Sequence, residues 1–226
     1  MTQGFDLQID AQANNIPRFI AIEGAIGVGK STLAKNLANT FGYRTLLEKS
    51  EDNPFLERFY KKPKSAALST QLFFLFQRAQ KIQDLRQEDL FDSRHVADFL
   101  IDKDKLFAQV TLDEDEMNIY RQVYDKMTID APQPDLVIYL QAPNQILLDR
   151  IRQRGISSEQ SIAPSYLTAL NDTYMEFFHF YDNAPLVIVN AAELDLASNS
   201  EHYRQLVEFI LTIKSGRHYY NPTPTL

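Results

Sequence analysis

Short apolar runs alternate along this chain with longer segments whose apolar residues return every three or four positions. Phe19–Ile22 is uniformly apolar and predicts a buried strand. From Ser31 to Thr40 the spacing turns helical, with Leu33, Leu37 and Phe41 on one side and Gly42 as the stop. Thr45–Leu47 reads as a second short strand leading into Glu48. Asn53 suits a cap and Pro54 a first turn, so 53–60 predicts a short helix. After the break Lys61-Lys-Pro-Lys64, a long helix is expected from Ser65 to Gln87, with Leu68, Leu72, Leu75, Phe76 and Ala79 as its apolar side. Arg94–Leu100 is a weaker strand pattern, followed by helices over 102–109 and 113–128. Asp135–Leu140 is the clearest strand, and Leu186–Val189 is a further one. Asn144–Arg154, Pro164–Tyr181 and Ser200–Lys214 have helical spacing. Strands separated by helices predict parallel pairing through crossover connections. The ends lack this periodicity, so 1–16 reads as a flexible N-terminal tail, 17–215 as one domain and 216–226 as a C-terminal tail.

Composition narrows the class. With 226 residues, 44% hydrophobic and 23% charged, one globular α/β core is the simplest reading. A net charge of −7 speaks against a duplex nucleic-acid binder, so no nucleic-acid partner is expected. There is no cysteine, which excludes disulfides and thiolate metal sites and agrees with a reducing, cytoplasmic setting. The N-terminus shows no basic-then-apolar leader, and no run approaches the roughly 18 apolar residues of a membrane span.

The strongest chemical signal is the run Gly24-Ala25-Ile26-Gly27-Val28-Gly29-Lys30-Ser31, with Thr32 behind it. It matches the complete P-loop pattern, between an apolar strand and a helix as that pattern requires. Glycines let backbone N–H groups turn toward phosphate oxygens, and the following helix N-terminus adds its positive dipole end. Lys30 is expected on the β/γ-phosphates of ATP and Ser31 on Mg²⁺. An exposed lysine on a glycine-rich turn is the plainer alternative, and the strand–loop–helix context argues against it.

Three further places offer the rest of a phosphoryl-transfer site. Glu48 follows the second strand, at the edge where open parallel sheets bind ligands, and its carboxylate can accept a hydroxyl proton. It reads equally as a solvated glutamate in the polar stretch EKSEDN. Gln71 and Arg78 are seven residues apart and share a helical face. They can address the edge of a nucleobase, although their spacing alone fits surface residues flanking the apolar stripe. Arg150 and Arg154 are four apart on one face, with Arg152 pointing elsewhere. Two guanidiniums so placed can clamp a moving phosphoryl, and with the mobile-looking loop GISSEQS they suggest a closing lid. A solvated basic face partnered by Asp149 is the alternative.

Taken together, the stretches IEGAIGVGKSTLA, LLEKSEDNPFLERFY, ALSTQLFFLFQRAQ, KDKLFA, PDLVIYLQAP, RIRQRG and SYLTALNDTY resemble the deoxynucleoside kinase family, especially its bacterial deoxyguanosine/deoxyadenosine kinase branch. The resemblance runs from about Phe19 to Asn190. It implies a three-layer P-loop kinase fold with a central parallel sheet, flanking helices and an arginine-bearing lid. It also implies a homodimer that transfers the γ-phosphoryl of ATP to a deoxynucleoside 5′-hydroxyl. Carried over by position, Glu48 matches the family's base, Gln71 the glutamine that reads the nucleobase, and Arg78 an arginine that helps select it. Tyr60 and Glu159 match contacts to the sugar 3′-hydroxyl. Phe107 matches an aromatic that stacks on the base, and Arg150 and Arg154 match lid arginines. Asp98 matches an acid that serves the metal site. Asp104 is a less direct match to an acid that pairs with the base-reading arginine. There are departures. Where the family has an arginine after that first acid, this chain has Phe99, and a third lid arginine is Ile156 here.

A purine acceptor is expected from Arg78 and the branch resembled, with deoxycytidine open because Gln71 can pair with several bases. A nucleoside monophosphate kinase related to thymidylate kinase would share the loop and lid, but Glu48 would repel its acceptor phosphate. A non-catalytic P-loop regulator would have no use for Glu48, Gln71 and the lid arginines together.

Overall fold

Phe19–Glu23 forms β1 at the centre of a six-stranded sheet, and from Ile20 onward its residues are buried. In this computed structural model the described residues are 7–9, 16–88, 94–127, 131–195 and 199–221. The other strands are β2 (Arg44–Leu46), β3 (His95–Ala97), β4 (Leu136–Gln141), β5 (Leu186–Asn190) and β6 (Arg217–Tyr220). They lie in the order β2-β3-β1-β4-β5-β6. Every pair is parallel, with Ala21 opposite Ala97 and Ile22 opposite Ile138. A parallel sheet needs a crossover behind each strand and cover on both faces, which explains the uniformly apolar runs. The helices are α1 (Lys30–Phe41), α2 (Leu56–Lys61), α3 (Ala67–Glu88), α4 (Lys103–Thr111), α5 (Glu114–Met127), α6 (Asn144–Arg154), α7 (Pro164–Phe180) and α8 (Ser200–Thr212). The architecture is the three-layer α/β arrangement expected of a P-loop kinase. No helix among the described residues is long and apolar enough to cross a membrane.

The main core joins β1, β4 and β5 to α1, α7 and α8 through residues such as Ile20, Leu33, Leu37, Val137, Leu170, Val187 and Leu206. A smaller cluster of Leu56, Phe59, Ala66, Ala67 and Phe74 fastens α2 to α3. Another, of Leu75, Ala108, Tyr120 and Tyr124, holds α3 against α4 and α5. These two satellites set the position of α3 over the carboxyl ends of β1, β2 and β3.

Four expectations need correction. The expected C-terminal tail contains β6, which pairs with β5 and stacks Tyr220 against Phe209 at 5.1 Å. The expected N-terminal tail is not wholly loose, because Leu7, Ile9 and Ile16 pack on the main core and the Ile9 N–H donates to Thr40 O. Phe76, read as part of the buried stripe, is 48% exposed. The stretch after α6 is a 3₁₀ turn, Ser157–Ser161, folded back so that Gln160 Nε2 donates to Ile151 O. Two shifts are smaller: α2 starts at Leu56, because Asn53 Oδ1 accepts the Phe55 N–H in a turn ahead of it, and β2 ends two residues before Glu48.

Candidate active site

The P-loop links β1 to α1 and is shaped by two close approaches. A Cβ on Gly24, whose φ is +146°, would lie 2.4 Å from Leu140 O. One on Gly27 would lie 2.9 Å from Leu147 O and 2.8 Å from Ile151 Cγ1, so only glycine lets the loop rest on α6. The loop is further pinned by Glu23, a buried carboxylate that accepts from the N–H groups of Gly24 and Leu100 and from the Tyr174 hydroxyl. Glu23 was not singled out in the sequence. Its signal is a charged residue closing an otherwise apolar strand directly before the first loop glycine.

Lys30 Nζ donates to Gly24 O at 2.7 Å and Ala25 O at 3.1 Å. Gly24 and Ala25, expected to bind the nucleotide, therefore hold the lysine and line neither of the two cavities at the loop. Burial and then the neighbouring charge of Lys103 bring the Lys30 ammonium down to about 8. One cavity, of about 730 Å³, runs from Gly27–Thr32 to Arg150, Gln153 and Arg154 and on to Ala192–Asp195. Its volume falls in the ordinary range for ligand sites.

The second cavity lies on the other side of the loop, among Ile26, Gly27, Lys30, Ser31, Glu48, Tyr60, Gln71, Arg78, Asp98, Lys103, Phe107, Arg154 and Glu159. At about 100 Å³ it is tighter than the usual ligand pocket. Asp98 joins the two sides. Its Oδ2 accepts from Ser31 Oγ at 2.5 Å, and its Oδ1 accepts the Glu48 N–H at 2.7 Å. Glu48 Oε1 pairs with Arg78 and Oε2 with Lys103 Nζ at 2.9 Å. Burial alone would raise the Glu48 carboxyl, but Arg78 and Lys103 outweigh it and hold it at about 2. Arg78 also pairs with Asp104, whose carboxyl is pushed up by its complete burial despite that contact. Asp104 does not line the cavity and reaches it only through Arg78.

Gln71 and Arg78 are thus buried site residues rather than surface flanks, at 1% and 2% exposure. Gln71 Oε1, Arg78 Nε and Asp104 Oδ2 have no hydrogen-bond partner among the described residues, an unusual cluster for an interior. Tyr60 lies beside Phe59 and Tyr166, with Glu159 buried nearby and paired to Arg154. Phe107 stands edge-on to Tyr174 at 6.2 Å. Lys103, Tyr166 and Tyr174 were not anticipated by role. They belong to helices that meet the site only through tertiary packing.

The two lid arginines differ in position. Arg154 borders both cavities. Arg150 borders the larger one alone, and its guanidinium donates to Val28 O, Ala191 O and Leu194 O. Asp149 pairs with Arg152, which is exposed, so neither lid arginine is the solvated partner of Asp149. Phe99 is buried among Phe19, Leu46 and Leu85, outside the smaller cavity.

A family model described as deoxynucleoside kinase matches residues 20–213. The deoxyguanosine kinase of Bacillus subtilis (strain 168) is 39% identical over 161 residues, covering 71% of this chain and 78% of that protein. The deoxyadenosine/deoxycytidine kinase of the same strain is 29% identical over 212 residues, covering 88% of this chain and 95% of that one. Among solved structures, deoxyadenosine kinase from M. mycoides with bound dCTP superposes with a TM-score of 0.74 at 28% identity, covering 86% of this chain and all of that one.

Proposed function

The chain belongs to the deoxynucleoside kinase family, and from that membership it is an ATP-dependent phosphotransferase; we propose that its acceptor is the 5′-hydroxyl of a purine deoxynucleoside. The product would be the 5′-monophosphate, as in nucleotide salvage. The observation that carries this reading is Asp98, whose two oxygens tie the P-loop serine to the acceptor-side Glu48. Gly27, Lys30, Ser31 and Arg154 line both cavities, so the donor and acceptor sides adjoin at these residues.

In this mechanism Lys30 and the amides of 27–32 hold the β/γ-phosphates in the larger cavity. Ser31 and Asp98 would hold Mg²⁺. Their oxygens suit a hard cation that takes one or two protein ligands and leaves its other positions to water and phosphate. Among the described residues no group of three His, Cys, Asp or Glu offers a fuller cage. When bound, the ion supplies charge neutralisation at the β/γ-phosphates. Glu48 receives the 5′-hydroxyl proton, and Arg154, at the border of both cavities, covers the phosphoryl as it passes. Arg150, tied to carbonyls on both sides of the larger cavity, shapes the donor side. Tyr60 and Glu159 face the sugar. Phe107 stacks on the base, and Gln71 with Arg78 supplies the polar edge that selects it. Asp104 orients Arg78.

A purine is favoured by the buried guanidinium of Arg78 in the cavity lining, suited to the O6/N7 edge. Sequence relatives named for deoxyguanosine and for deoxyadenosine agree with it. Family membership sets aside the thymidylate-kinase-like and regulatory readings. A homodimer, a cytoplasmic location and a single catalytic domain are further parts of the proposal and rest on the family likeness. The test is a panel of deoxy- and ribonucleosides with ATP and Mg²⁺. Purine deoxynucleosides should give the highest kcat/KM. Preference for thymidine would overturn the base assignment, and ADP release independent of any nucleoside would overturn the acceptor.

A further inference from the structure

Lys103 is a charged residue of the acceptor cavity to which neither motif spacing nor family likeness assigns a role. It opens α4 and is 3% exposed. Its Nζ lies 2.9 Å from Glu48 Oε2 and 5.4 Å from the centre of the Phe107 ring. Glu48 is its one hydrogen-bond partner among the described residues, so two of its three N–H bonds are available to the cavity. The other cations there have partners of their own. Arg78 is shared between Glu48 and Asp104, Arg154 is paired with Glu159, and Lys30 is bound to two loop carbonyls. Phe99, at the position where the family has an arginine, is packed among apolar side chains and brings no charge.

We propose that Lys103 is a further catalytic residue, the cation that contacts the attacking 5′-oxygen and the phosphoryl being transferred. This rests on the deoxynucleoside kinase reading. A lone pair of the 5′-hydroxyl oxygen forms the bond to the γ-phosphorus. The bond from that phosphorus to the bridging oxygen breaks, with its pair leaving on ADP, and the hydroxyl proton passes to Glu48. Once protonated, Glu48 no longer balances the buried ammonium, and the charge gathering on the phosphoryl oxygens becomes its counter-ion. Lys103 keeps its proton throughout. The transition state is thereby stabilised more than the substrate complex, so the residue acts on kcat rather than on binding.

The test compares the wild type with Lys103→Gln, Lys103→Met and Lys103→Arg in ATP-dependent phosphorylation of deoxyguanosine and deoxyadenosine. Calorimetric binding of the nucleoside shows that each variant is folded. The two neutral variants should lose ~10²–10³-fold in kcat, the scale for removing one transition-state donor, while nucleoside KM moves by less than ~5-fold. Lys103→Arg should recover at least ~10-fold of that loss. The proposal is overturned if the neutral variants keep kcat within ~3-fold, if the loss falls in KM alone, or if a folded Lys103→Arg is no better than Lys103→Gln. Failure of both neutral variants to fold would make the lysine structural and overturn it too. A wild type that phosphorylates no nucleoside would remove the kinase reading, and this role with it.

Discussion

Glu48 carries one negative charge between Arg78 and Lys103, and their combined pull, set against burial, leaves it at about 2. Such a carboxylate is a weak base. It takes the proton late, once the oxygen–phosphorus bond is forming, and much of its value is in orienting the hydroxyl. Glu48→Gln keeps the shape and removes the charge, and turnover in a coupled assay should fall by ~10²–10⁴-fold. Because the group is already ionised above its depressed value, kcat/KM for the nucleoside should show no acid limb from Glu48 between pH 7 and pH 5. Lys30 has the opposite bias: burial first and Lys103 second hold it at about 8. Triphosphate charge favours the ammonium, so ATP binding near pH 9 should take up close to one proton, falling toward zero near pH 6. Calorimetry in buffers of differing ionisation enthalpy would read this directly. Residue type and order made Lys30 and Ser31 legible in the sequence as P-loop residues, while Glu48 stood out only through the family resemblance. The pairing that tunes them was not legible, since Arg78 and Lys103 are brought to Glu48 from positions 30 and 55 residues away.

At the level of elements, α3 shows why a periodic pattern can be right about a helix and wrong about its face. Residues advance about 100° per position, so Phe76 stands about 100° round the helix from Leu75. The buried arc is centred on Leu75 and runs toward Phe74 and Arg78, because α3 is covered by α5 on one flank and by the acceptor cavity on the other. Polar Gln71 and Arg78 are therefore inside while Phe76 is out. The P-loop depends on α6 in a similar way, since Gly27 rests against Leu147 and Ile151. Gly27→Ala would force its methyl onto a backbone carbonyl at a φ of +85°. The loop must shift, and the KM for ATP should rise at least ~10-fold, the response to a misplacement of about 1 Å in a positioning element. An unchanged KM would show that α6 yields instead. Tyr60 of α2 and Glu159 of the 157–161 turn line the acceptor cavity, so a bound nucleoside would contact both segments. Amide hydrogen exchange in both segments should slow when a deoxynucleoside binds.

Across the whole molecule, the parallel sheet gathers the ends of β1, β2 and β3 at one edge, which places Glu23, Glu48 and Asp98 within reach of the loop. At the opposite side β6 seals β5. Ending the chain after Ile213 would bare the β5 edge and uncover Phe209. The truncated protein should melt several degrees lower and aggregate on heating, as an unprotected edge strand does. An unchanged Tm would make β6 dispensable. The sequence by itself determined the strand–loop–helix setting of the glycine-rich run, the alternation that requires a parallel sheet, and the helical face shared by Arg150 and Arg154. These are local properties, set by residue type and spacing over a few turns of chain. Only the tertiary structure decided that Asp98 links Ser31 to Glu48, that Lys103 rather than Phe99 lines the smaller cavity, that Arg150 and Arg154 part company, and that Arg217–Tyr220 completes the sheet. Each of these depends on which distant segments the core brings side by side, and on burial making their charges strong enough to matter.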